Sequence, residues 1–133
     1  MRIQEIVLEQ QQLNEGVIGA TVDRMLDKLF GPSNEPISPE EFNRKISKIP
    51  QNATNVEMKA QVEHYLRQAG LDQKIEQLAW KKKTTFEKMK HYVIVLVGTA
   101  AVIIGPEKLG QALGDLLVKL AELIINALFK RGD

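Results

Sequence analysis

Residues 92–104 read YVIVLVGTAAVII, the most apolar run in a chain of 133 residues. At about 13 residues it is shorter than the roughly 20 that a spanning helix needs. Extension backward meets His91, Lys90 and Lys88, and extension forward meets Pro106. The β-branched Val93, Ile94 and Val95 would also suit a strand. No second strand candidate exists to pair with it, and a lone strand leaves its backbone unsatisfied. The run therefore predicts a central core helix, apolar all round because neighbours surround it.

Downstream, Gly105-Pro106 makes a turn, and residues 107–130 follow as an amphipathic helix. Leu109, Leu113, Leu116, Leu117, Leu120, Leu123, Ile124 and Leu128 line one side, with Lys108, Gln111, Asp115, Lys119, Glu122 and Asn126 on the other. Residues 84–130 are expected to form an antiparallel helical hairpin. Its leucine face is a candidate interaction face, packing either within the chain or on a second copy. A membrane-active hairpin of the pore or holin type is the competing reading.

Upstream, Asn52-Ala53-Thr54-Asn55 precedes a helix to about Ala69, with Thr54 and Glu57 as a capping box and Gly70 as the stop. Val62, Tyr65, Leu66 and Ala69 form its stripe. Another helix runs from Leu71 to about Lys83, with Ile75, Leu78 and Ala79 inward. The segment 31–55 holds four of the five prolines. Within it, Ser38-Pro39-Glu40-Glu41 starts a short helix to Lys48, with Ser38 as cap, Pro39 at the first helical position and Glu41 closing a capping box. Residues 17–30 carry Val17, Ile18, Val22, Met25, Leu26 and Leu29 at helical spacing, and Gly31-Pro32 ends that helix. The expectation is an all-α fold, a small helical bundle. It divides into a 1–15 leader, a 16–55 helix with a proline-rich connector, and a 56–133 helical domain.

The chemistry of sites is sparse. The chain has no cysteine, which removes disulfides and thiol chemistry. His64 and His91 are not at metal-ligand spacing. Gly105 to Gly114 lacks the ending of a phosphate-binding loop, and no serine elbow occurs. Glu40-Glu41 is accounted for by capping. The reading is a non-enzymatic protein without metal or cofactor. With a net charge of +1, no overall field draws it to nucleic acid, where contact would be at most non-specific. Lys81, Lys82, Lys83, Lys88 and Lys90 lie beside Trp80 and Phe86, directly before the apolar run. They are either a solvated helix face or a phosphate- or lipid-contacting cluster.

Met1 to Glu15 has no apolar h-region of a secretory signal, so synthesis and first use in a cytoplasm are expected. This start is amphipathic and rich in glutamine and glutamate, and it leads into Leu13-Asn14-Glu15-Gly16. It resembles the capsid-targeting propeptide of the internal head proteins of T-even-type tailed bacteriophages. In that family the leader carries the protein into the prohead, and a protease cuts after Glu in a Leu/Ile-x-Glu–Gly/Ala/Ser context. Leu13, Glu15 and Gly16 match those positions. The resemblance covers about the first 16 residues. It implies a protein packaged with DNA in the virion, trimmed after Glu15, and delivered to the host cytoplasm to bind a host component. Removal of Arg2 with Glu5, Glu9 and Glu15 would leave a more basic product.

Overall fold

The computed structural model describes residues 19–31, 37–53, 55–104 and 113–131. The fold is all-α, with no strand among the described residues. Helix α1 covers residues 19–30. The others are α2 (Pro39–Ser47), α3 (Val56–Gln68), α4 (Asp72–Lys81), α5 (Phe86–Ile104) and α6 (Leu113–Arg131).

Each helix boundary has a local cause. The Glu41 N–H donates to Ser38 Oγ at 3.2 Å, and Pro39 occupies the first turn of α2. At α3 the cap is Asn55 rather than the expected Thr54: the Glu57 N–H donates to Asn55 Oδ1 at 2.9 Å. Thr85 caps α5, accepting from the Lys88 N–H at 3.2 Å. Its strand-like β-branched residues are helical because tertiary burial overrides their weak propensity. Thr99, on this apolar helix, returns its hydroxyl to the Val95 carbonyl at 2.8 Å.

The turns at both ends of α4 share one design. After α3, the Leu71 N–H donates to the Leu66 carbonyl and the Gly70 N–H to the Arg67 carbonyl, both at 3.1 Å. After α4, the Thr84 N–H donates to the Ala79 carbonyl at 2.9 Å and the Lys83 N–H to the Trp80 carbonyl at 3.1 Å. Each is a 6→1 bond with a 5→2 bond, the Schellman arrangement, which places one residue in the left-handed region. Gly70 fills that position in the first turn at φ 70°, but Lys83 fills it in the second at φ 54°.

One hydrophobic cluster draws on all six helices. Met89, Tyr92, Val93, Val97, Ala100 and Ala101 of α5 are fully buried at its centre. Helices α3, α4 and α6 pack on α5, and α3 and α4 also pack on α6. The remaining side is closed by an aromatic trio. Phe30 stacks on Phe42 at 5.3 Å between ring centroids, and Tyr92 meets both edge-on at 5.8 Å. Val22, Leu26 and Phe30 of α1 and Phe42 and Ile46 of α2 belong to the core that α3 to α6 share. The expected hairpin partners, α5 and α6, do pack together.

Replacing Lys83 by Gly should raise stability by about 1 kcal/mol, because the left-handed conformation penalises a Cβ. Gly70→Ala should lower it by a similar amount. Urea midpoints at unchanged slope measure both, and equal signs for the two changes would contradict the geometry.

Candidate functional site

The lysine run was the strongest positively charged feature of the sequence, and the fold disperses it. Lys81 reaches across to α6, donating to the Phe129 carbonyl at 3.2 Å with its ammonium 5.4 Å from the Phe129 ring centre. Lys82 is buried, its ammonium 5.5 Å from the centre of the Phe42 ring. Lys83 turns the chain. Lys90 donates to Glu63 Oε1 of α3 at 2.6 Å, with its side chain only 18% exposed. Lys83 and Lys88 are exposed. The five do not form one cationic face. Lys81, Lys82 and Lys90 join helices to one another.

That Lys90 contact holds the Glu63 carboxyl below its ordinary pKa, through the hydrogen bond first, against the opposing effect of burial, with the charges of Lys90, Arg67 and Lys59 adding to it. Neighbouring His91 is half-buried on α5. Burial pushes its imidazole down from 6.5, the Lys59 charge adds to that, and the Pro50 carbonyl opposes it. Its Nε2 is buried without a hydrogen-bond partner. Desolvation thus favours the neutral imidazole at this position.

The leucine face of α6 is also accounted for within the chain. Leu116, Leu117, Leu120, Ile124 and Leu128 are buried in the bundle and Leu123 is half-buried against it. Leu113 begins α6, and Leu109 lies outside the described residues. Of the two arrangements expected for this face, packing within the chain is the one seen, with α3, α4 and α5 packed on α6. The stretch 92–101 likewise meets protein, apart from half-buried Thr99. Among the described residues no helix is long and apolar enough to cross a membrane. The cleavage candidates Leu13, Glu15 and Gly16 lie outside the described residues.

Other surface features remain, among them Val102 and Ile103, 72% and 59% exposed at the end of α5. Trp80, the sole tryptophan, is 87% exposed in the last turn of α4, just before Lys81. A cleft of about 400 Å³ between the ends of α1 and α2 is lined by Lys28, Leu29, Arg44, Lys45, Lys48, Ile49 and Pro50. Sequence reading passed over this last group. Arg44, Lys45 and Lys48 look like ordinary basic residues of a last helical turn, and Lys28 stands far from them in the chain. Only the apposition of α1 and α2, anchored by Phe30 on Phe42, gathers them. No group of histidine, aspartate and glutamate that could hold a metal occurs among the described residues.

The geometry defines an all-α helical bundle with a positively lined cleft and an exposed tryptophan. Comparison with protein-family models, with curated proteins and with solved structures finds no match.

Two measurements probe this surface. Trp80 fluorescence should resemble that of a solvated indole, be freely quenched by acrylamide, and shift little on unfolding. Trp80→Ala should change stability by less than about 0.5 kcal/mol. For His91, the unfolded chain takes up a proton near 6.5 while the folded one resists it. Stability is then fully present above that pH and declines as pH falls through the interval below it. Glu63 adds a second decline below its ordinary value of 4.5. Urea midpoints should show the upper decline in the parent and lose it in His91→Gln; an unchanged profile would refute the assignment.

Proposed function

We propose that this chain is a non-enzymatic internal head protein of a tailed bacteriophage. It enters the prohead on residues 1–15, is trimmed between Glu15 and Gly16, and acts in the host cytoplasm by binding a host component. The observation that carries the reading is the Leu13-Asn14-Glu15-Gly16 sequence, placed ahead of a bundle described from residue 19 onward. A cut there would leave every helix of that bundle in the product. A core drawing on all six helices also suits a protein that must pass through packaging and delivery. Its partners would be phage head components first and a host protein later. The surface around exposed Trp80 is the natural contact for the latter, because a tryptophan that becomes desolvated contributes heavily to an interface.

The test is an intact mass measured on the protein from assembled phage particles. A species beginning at Gly16 is expected, and Glu15→Ala should leave the leader attached while Glu9→Ala should not. Finding only a chain that begins at Met1 would sink the proposal.

A further inference from the structure

The cleft between the ends of α1 and α2 has an unbalanced charge. Lys28, Arg44, Lys45 and Lys48 line it, and no carboxylate does so among the described residues. Lys45 is held in place, because its ammonium donates to the Leu29 carbonyl and lies 5.9 Å from the Phe30 ring centre. Arg44 pairs with Glu41 at 3.9 Å, an ion pair between largely exposed side chains that water screens. Lys28 and Lys48 make no side-chain ion pair among the described residues. Three cationic heads thus border one concavity while a fourth stiffens its wall.

We propose that this cleft binds a phosphate monoester carried on a small body with a flat, stackable face, such as a nucleoside monophosphate. Like charges gathered in a cleft raise its potential, and an anion relieves it. A phosphate monoester suits three heads better than a carboxylate does. It carries close to two negative charges at neutral pH and offers three acceptor oxygens. The Arg44 guanidinium can bond two of these oxygens at once, with Lys28 and Lys48 acting as point charges. Phosphate alone would leave much of the volume unfilled, since about 400 Å³ lies in the range of roughly 300–1,000 Å³ typical of small-molecule sites. Leu29, Ile49 and Pro50 give the cleft an apolar wall against which a flat base can lie. The site is independent of the leader and of any cut at Glu15.

The full chain, labelled with nitrogen-15, is titrated with adenosine 5′-monophosphate, with inorganic phosphate and with adenosine, all at constant ionic strength in chloride. The expected result is movement of the amide signals of Lys28, Leu29, Lys48 and Ile49 with the first two ligands. The nucleotide should bind about tenfold more tightly than phosphate, and adenosine alone should leave these signals in place. Arg44→Gln with Lys48→Gln should weaken binding about tenfold or more, while Lys74→Gln on α4 should leave it unchanged. The substituted side chains are exposed or half-buried, and an unchanged amide spectrum elsewhere reports that each variant folds. Absence of localised movement with both phosphates, or identical titrations for the parent and the double variant, would overturn the site. Equal affinity for nucleotide and phosphate would overturn the role given to the apolar wall.

Discussion

Between Tyr92 and Ala101, helix α5 is apolar on every side and buried apart from half-buried Thr99, whereas Val102 and Ile103 beyond it are exposed. Burying one Val, Ile or Leu side chain contributes about 1.5–3 kcal/mol, so a helix carrying Val93, Ile94, Leu96 and Val97 side by side loses heavily if one face stays wet. An ordinary amphipathic helix is satisfied by one layer of neighbours. The 92–101 stretch of α5 requires protein around its whole circumference. Helices α3, α4 and α6 supply most of it, and α2 covers what they leave, bringing α1 with it through the contact of Phe30 with Phe42. The proline-rich segment between α1 and α3 joins the core for this reason.

The same constraint explains the fate of the lysines before α5. Successive helical residues point about 100° apart, so adjacent lysines cannot share a face. Lys81 is directed toward α6 and Lys82 toward Phe42. The left-handed backbone at Lys83 then reverses the chain into the cap of α5, and Lys90 emerges a turn later against Glu63. Each of these three ammonium groups ends over a ring, on a carbonyl or beside a carboxylate. Their long stems cover apolar surface where the polar start of α5 enters the core. A charge run that reads in one dimension as a patch thus becomes, in three, a set of ties between α4, α5 and their neighbours.

The helices and their caps were legible because their signals are local. Periodicity marked Val62, Leu66, Ile75 and Leu78 as inward, Ser38 and Gly70 act as the boundaries they resemble, and the apolar run could only be helical without a strand partner. Thr54 and Asn55 are adjacent residues of similar capping ability, so composition could not choose between them. The leucine face of α6 was visible, but its partner was not: hydrophobic spacing says that a face is covered without saying by what. Phe42 carries little pattern of its own, with Ile46 as its nearest apolar companion, and its importance comes from Phe30 and Tyr92, which no sequence rule connects to it. The cleft of Lys28, Arg44 and Lys48 escaped for the same reason. Its residues come from two helices, and each is accounted for locally as a basic residue near a helix end.

This separation between local and assembled features bears on how the molecule can work. Three titratable side chains are held by structural neighbours: His91 sits in a seam near Lys59 and Pro50, Glu63 is bound to Lys90, and Lys82 is buried over Phe42. Trp80 projects its indole into solvent at the end of α4, although the bundle has an aromatic cluster in its core. A folding chain gains by hiding such a side chain. On the proposed function, its exposure beside the Lys83 turn would serve an encounter with another molecule, in which desolvation stabilises the complex rather than the fold. A packed bundle presents such a residue on a rigid helix end, so little conformational freedom is lost when the partner arrives.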